Sequence, residues 1–281
     1  MSDRSPHILR HEPFCFLVLG LISLGVIIQT GSVHRVHLSL LAGALALIAT
    51  ARFDQVKKTS LSLKIRLGMA YGVMLWIYTA VADLVPLMKL STYDHQLLEI
   101  DRFLWGETPA LIFTPRPWLT ELMSFGYLSY QFYIHGSMIL NLLINPAQAS
   151  RMFGFIFPAF TLGVIGYFIV PAVGPWKAYP DQLTQPLNGW LITDINAFVV
   201  AQGSSVYDVF PSLHVLGTLV MLDHDRVYRR SWFRVMVPIS VVLIISTLYL
   251  RYHYAIDLLA GLVIFLFVRR NSWKWVTRSS K

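Results

Sequence analysis

The chain has 281 residues, of which 55% are hydrophobic and only 14% charged, against about 25% charged in typical soluble domains. Its mean hydropathy is +0.56, and 23 Lys and Arg against 15 Asp and Glu give a formal net charge of +8. The cations sit between apolar runs and build no polar face, which disfavours a nucleic-acid binder, a disordered chain and a soluble enzyme.

Apolar runs predict eight membrane-spanning helices, at about 14–30, 36–51, 67–87, 122–144, 152–173, 209–222, 235–250 and 254–268, read against the roughly 20 apolar residues a crossing needs. The third, fourth and fifth are long enough unaided, while the last three borrow from flanking residues. The first follows Arg4 and Arg10 in the manner of a signal peptide, but no small-residue cleavage site follows it, so it reads as a retained anchor. It contains Cys15, the single cysteine, so an intramolecular disulfide is excluded. With the N-terminus inside, 17 Lys and Arg fall on inner segments and 6 on outer ones, namely Arg35, Lys89, Arg102, Arg116, Lys177 and Arg251. That asymmetry predicts an even number of spans with both termini cytoplasmic. Trp105, Trp118, Trp176 and Trp190 fall near the outer boundary and Trp232, Trp273 and Trp275 near the inner one, as in an aromatic belt. The expected fold is an all-α polytopic membrane helix bundle, one integral-membrane domain over 1–281.

Two outer connections are long. The first, 89–119, carries Asp94, Glu99, Asp101 and Glu107 among apolar residues and reads either as a short amphipathic helix in the interface or as a plain loop. The second, 174–210, is rich in Pro, Gly, Asn and Asp and reads as a lid or substrate-facing loop.

Polar chemistry gathers at the outer ends of the last three predicted helices. Phe210-Pro211-Ser212-Leu213-His214 opens the sixth, and Arg251-Tyr252-His253-Tyr254-Ala255-Ile256-Asp257 joins the seventh to the eighth. The topology puts both stretches on one side. Pro211 suits a first helical turn, and Ser212 with the N–H groups behind it makes an anion site favoured by the helix dipole. His214 lies one turn in. At i and i+4, His253 and Asp257 share a helix face, so Asp257 can hold one ring nitrogen and leave the other to attack or to accept a proton. Arg251 adds a fixed charge suited to phosphate oxygens. Each piece alone also fits a packing role, but ionisable residues converging at membrane level mark function. Asp83 reads either as cavity-facing or as a cap. Asp208 reads as an acceptor contact or a helix cap. Tyr127, Tyr130, Gln131, Tyr133 and His135 suit a headgroup or acceptor pocket and equally suit interhelical hydrogen bonding.

These motifs resemble the type 2 phosphatidic acid phosphatase superfamily of membrane lipid phosphatases and phosphotransferases. Its signature joins a Lys/Arg-Pro motif, Pro-Ser-Gly-His and Ser-Arg-x5-His-x3-Asp; here Pro211-Ser212-Leu213-His214 matches the second, and His253-x3-Asp257 followed by Gly261 the third. Leu213 and the His253-Tyr254 pair look like the branch holding inositol phosphorylceramide synthases and related bacterial proteins. The resemblance covers about 171–261 well, and the N-terminal half only through Ser124-Phe125-Gly126-Tyr127. It implies that His253 is the nucleophile forming a phosphohistidine, Asp257 orients it, His214 protonates the leaving alcohol, and Ser212 with basic residues holds the phosphoryl oxygens. The chain departs from the family in its cations. The third motif's Ser-Arg falls at Ser246-Thr247, leaving Arg251 as substitute. The first motif is replaced by Pro171-Ala172-Val173-Gly174-Pro175-Trp176-Lys177, which makes Lys177 the candidate phosphate ligand. Arg116-Pro117 reproduces the first motif's dipeptide out of place.

The resemblance implies a phospholipid or an isoprenoid or sphingolipid phosphate as substrate. A lipid or sugar alcohol would serve as acceptor, with transfer slightly favoured over hydrolysis, and no cofactor, metal or nucleic acid is expected. The site would face the periplasm from a bacterial inner membrane, or alternatively the lumen of a eukaryotic endomembrane. Two other classes stay open: a zinc hydrolase with His214, His253 and Asp257 as ligands, and a non-catalytic lipid transporter or scaffold.

Overall fold

The computed structural model describes residues 8–277, with side chains as far as residue 271. Arg4, Arg278 and Lys281 lie outside the described residues, as do the side chains of Trp273, Lys274 and Trp275. Among the described residues the fold is all-helical, and its β-type pairing is an isolated bridge between Ala172 and Asp208.

Helix α1 (Glu12–Thr30) carries Pro13 in its first turn, where the missing N–H leaves no bond unmade. After α2 (Val36–Lys57), α3 (Ser60–Leu87) opens on a capping box between Thr59 and Ser62. Arg66 locks these three together. Its guanidinium grips Glu12 of α1 at 2.6 and 2.8 Å and reaches Asp54 of α2 at 3.2 Å, all three groups being buried. Two buried carboxylates share one guanidinium, so it is removal of Arg66 that leaves uncompensated buried charge, at a cost of about 3–5 kcal/mol. The outward faces of α1 and α2 expose Leu17, Leu24, Leu38 and Leu45, as a lipid-facing surface requires.

The connection 89–119 does hold an amphipathic helix, α4 (Asp94–Trp105), followed by the single turn α5 (Pro109–Ile112). Helix α6 (Pro117–Gln131), a π turn at Phe132–Gly136 and α7 (Ser137–Ile144) form one rod over the fourth predicted span. Asn145 then caps α8 (Pro146–Ile169) by accepting from the Gln148 N–H. This cap starts the helix six residues ahead of the predicted fifth span, and Pro171, which disfavours helical backbone at Val170, ends it at Ile169 and not at 173.

The predicted lid is part helical: α9 (Pro175–Ala178) is one turn, and α10 (Leu191–Gly203) packs against α6. Helix α11 (Leu213–Tyr228) starts four residues later than the predicted sixth span because Ser212 is its N-cap. Helices α12 (Arg230–Tyr249) and α13 (Ala255–Thr277) complete the chain. At the centre lies α8, against α1, α3, α11 and α13. Among the described residues five helices, α1, α2, α3, α8 and α12, are long and apolar enough to cross a membrane. The α6–α7 rod, α11 and α13 occupy the other three predicted positions. In α11 the last turns carry Asp223, His224, Asp225 and Arg226, which shortens its apolar stretch.

Candidate active site

The starts of α11 and α13 lie side by side, because the Ser212 N–H donates to the Asp257 carbonyl at 3.1 Å. Gly261 permits this approach, since a Cβ there would sit 2.8 Å from the Ser212 carbonyl oxygen. The turn ahead of α13 is tied back on itself: the N–H groups of Tyr252 and His253 both donate to the Thr247 carbonyl, at 3.1 and 3.2 Å. Gly174, at φ +82°, brings the 171–177 segment against this turn, and its Cβ would meet the Tyr252 carbonyl at 2.5 Å.

Within that frame Ser212, His214, His253 and Asp257 come together, all four buried. His253 Nδ1 lies 3.2 Å from Asp257 Oδ2, which also accepts the Tyr254 N–H at 2.7 Å. The other ring nitrogen, Nε2, lies 3.3 Å from Ser212 Oγ and 3.2 Å from His214 Nδ1. Ser212 Oγ in turn caps α11 by accepting from the Val215 N–H at 3.4 Å. The His253 ring therefore stands between the carboxylate and the second imidazole. The two ring nitrogens face different partners, so His214, His253 and Asp257 do not gather around one point. Among the described residues no group of three His, Cys, Asp or Glu could hold a metal ion.

Both histidines line a cavity of about 20 Å³, roughly the space of one water molecule. Tyr127 and Tyr130 flank His214, each with its ring centroid 4.5 Å away. His135 and Tyr133 are committed elsewhere, to Tyr71 at 2.6 Å and to Asp225 at 3.0 Å. Most of the remaining wall comes from the second outer connection, through Trp176, Val200, Ser204, Val206, Asp208 and Val209, joined by Val173 and Tyr252. Burial pushes the His253 imidazole down to about 4, against the opposing pull of the Asp208 carboxylate, so the ring is neutral at ordinary pH.

The two candidate phosphate cations stand apart from the histidines. Arg251 takes φ +66° and lines a separate cavity of about 340 Å³ with Ser124, Thr193 and Asn196; Trp176 and Tyr252 border both cavities. Lys177 is exposed, its ammonium 4.6 Å from the centre of the Trp176 ring. Among the described residues no Lys or Arg lines the histidine cavity.

Three acidic residues hold the frame. Asp94 accepts from the N–H groups of Val173 and Gly174, at 3.1 and 2.9 Å, and from the Tyr254 hydroxyl at 2.9 Å. Asp101 accepts from the first N–H groups of α13, Ala255 at 2.8 Å and Ile256 at 2.9 Å. Glu121 accepts from the N–H groups of Trp190, Ile192 and Thr193 at the start of α10. Desolvation raises the Glu121 pKa, but these donors outweigh it and hold the carboxyl below its usual range. The seven-residue spacing of Asp94 and Asp101, which puts both on one helix face, was the sequence signal for the first two; Glu121 carried none.

A family model for the PAP2 superfamily matches residues 95–269, more than half of the chain and including all four central site residues. No curated protein and no solved structure matches. With the His253–Asp257 pair and the Ser212–His214 helix start meeting at one buried point inside the matched segment, the chain belongs to the PAP2 superfamily, a family of phosphatases.

Proposed function

We propose that this protein is an integral-membrane lipid phosphatase or phosphotransferase working through a phosphohistidine on His253. The observation that carries the reading is the orientation of His253: Nδ1 faces Asp257, and Nε2 faces Ser212 and His214 in the cavity. Asp257 fixes the tautomer that leaves the Nε2 lone pair free, as the carboxylate of a catalytic triad does. Nε2 attacks phosphorus, and the bond to the lipid oxygen breaks with its electron pair on that oxygen, which takes a proton from protonated His214. Attack by water or an alcohol oxygen then breaks the N–P bond, and His214 takes the proton of the incoming hydroxyl. Ser212 offers the phosphoryl oxygens its hydroxyl, and the α11 N-terminus offers N–H donors and a favourable dipole.

The second outer connection walls the cavity and shields it from water, which supports transfer over hydrolysis. Pro-Ser-Leu-His and the His253-Tyr254 pair support the inositol phosphorylceramide synthase-like branch. Helix rods at all eight predicted positions, the 17-to-6 cation split and the shared side of the α11 and α13 starts support eight spans, cytoplasmic termini and a site facing the periplasm of a bacterial inner membrane.

The test is incubation of the purified protein with a labelled panel of lipid phosphates, with and without alcohol acceptors. Free phosphate or a released headgroup phosphate marks hydrolysis, and a new phosphoester marks transfer. Turnover is expected for wild type and absent for His253→Ala. Undiminished turnover by His253→Ala, or none by wild type, would sink the reading.

A further inference from the structure

Arg251 is a buried cation that the histidine mechanism leaves unused. It is 7% exposed, yet among the described residues no carboxylate pairs with its guanidinium and no side chain or carbonyl accepts from it. Arginines this deeply buried are ordinarily paired. Burial pulls its pKa down, and the influence opposing that shift is the Tyr249 hydroxyl, not a carboxylate. The backbone is held in place: at φ +66° the Arg251 N–H donates to the Leu248 carbonyl at 3.0 Å, and the Trp176 N–H donates to the Arg251 carbonyl at 3.1 Å. A residue other than glycine stays in that left-handed region only where its surroundings fix it.

The cavity Arg251 lines, about 340 Å³, has the size of a small-molecule site. Its other polar groups have their protons committed. Ser124 Oγ donates to Thr193 Oγ1 at 3.2 Å, and Thr193 Oγ1 donates to the Glu121 carboxylate at 2.8 Å. Asn196 is buried, donates its amide N–H to the Tyr252 hydroxyl at 3.3 Å and leaves its amide oxygen without a partner. A ligand that satisfies this cavity brings an anionic group to the guanidinium and hydroxyl donors to the acceptors. Tyr252 divides it from the histidine cavity. Its ring stands 4.7 Å from that of Tyr127 on one side, and its hydroxyl meets Asn196 on the other. We propose that the Arg251 cavity is a second binding site, for a hydroxylated anion (an alcohol carrying a phosphate or carboxylate group, free or lipid-borne) that serves as the acceptor. The acceptor role rests on the phosphohistidine reading; the anion binding does not. With its charge on Arg251, the alcohol extends past Tyr252 and its oxygen bonds to phosphorus on His253 Nε2. The N–P bond breaks with its electron pair on Nε2, and His214 takes the hydroxyl proton.

The test is calorimetric titration of the full-length protein in detergent. Glycerol 3-phosphate (free) and phosphatidylglycerol (lipid-borne) are compared with glycerol, which lacks the charge, and dimethyl phosphate, which lacks the hydroxyls. At least one of the first two should bind at least about tenfold tighter than either control, the size of one hydrogen bond to a charged group, and which one does so identifies the source. Arg251→Gln should weaken that binding at least about tenfold, as should Asn196→Asp, which brings a carboxylate into the cavity. His253→Ala should leave it unchanged. In transfer assays with whichever labelled lipid phosphate is turned over, Arg251→Gln should raise the acceptor KM about tenfold with a much smaller change in kcat. No preference over the controls, binding that survives both cavity substitutions, or binding lost with His253→Ala would overturn the second site. A bound alcohol that never receives phosphate, while water does, would overturn the acceptor role alone. No turnover of any lipid by wild type, with binding still lost in Arg251→Gln, would overturn the phosphohistidine reading and leave the anion site standing.

Discussion

His253 and Asp257 sit four residues apart at the start of one helix, so their contact follows from local geometry and was legible in the sequence. Ser212 was read as lying in a first turn opened by Pro211, but it is the N-cap of α11, and Pro211 stands one residue ahead of it. Arg251 was not legible in this way: two residues from His253, it takes φ +66° and lines another cavity, and no spacing rule gives the direction of a side chain in a left-handed turn. Two predictions belong here. Asp257→Asn keeps the shape but loses the tautomer control, and kcat should fall by about 10⁴, as when a triad carboxylate is amidated; a loss under tenfold in steady-state assays would contradict the orienting role. Because burial holds His253 near 4, the neutral nucleophile persists down to that pH and is lost only below it. The acid limb of kcat/KM should therefore fall near pH 4, and a limb near 6.5, the free imidazole value, would show a solvated ring.

At the scale of elements, α4 acts as a clamp. Its amphipathic character was legible, but its partners were not, because Asp101 meets Ala255 and Asp94 meets Tyr254 across sequence separations of 154 and 160 residues. Asp101 serves as an N-cap supplied from another helix. Asp101→Ala should cost about 1 kcal/mol of stability, the usual value of a cap, and should lower kcat more than that loss implies, since it frees the start of α13. Thermal unfolding paired with turnover checks this, and unchanged values in both would exclude the clamp. The lid offers a parallel case. Glu121 closes the N-terminus of α10 with three backbone bonds, and Glu121→Ala should speed proteolysis within the 183–204 segment while helices α1 to α3 stay protected.

Across the whole molecule, the charge of +8 divides, in the proposed orientation, into a large inner and a small outer share, and neither cation nominated for phosphate lines the histidine cavity. Arg66, one of the inner cations, is spent on the buried cluster with Glu12 and Asp54, a role its sequence neighbourhood does not reveal. The helix positions were legible from apolar runs; the packing around α8 was not, since an apolar face looks alike toward lipid and toward a neighbouring helix. Orientation is checked in a Cys15→Ser background with a membrane-impermeant thiol reagent. Asp181→Cys, exposed in the lid, should label in intact cells, and Lys57→Cys, exposed at the end of α2, only after permeabilisation. The reverse pattern would invert the topology and move the site to the cytoplasmic face.

The central claim is a covalent bond between phosphorus and His253 Nε2. Rapid quench of the enzyme with headgroup-phosphate-labelled lipid, followed by peptide mapping, tests it most directly. The account predicts an acid-labile, base-stable label on the peptide holding His253, absent from His253→Ala and enriched when acceptor is withheld. Turnover with no label on any peptide, or the same label in His253→Ala, would contradict it.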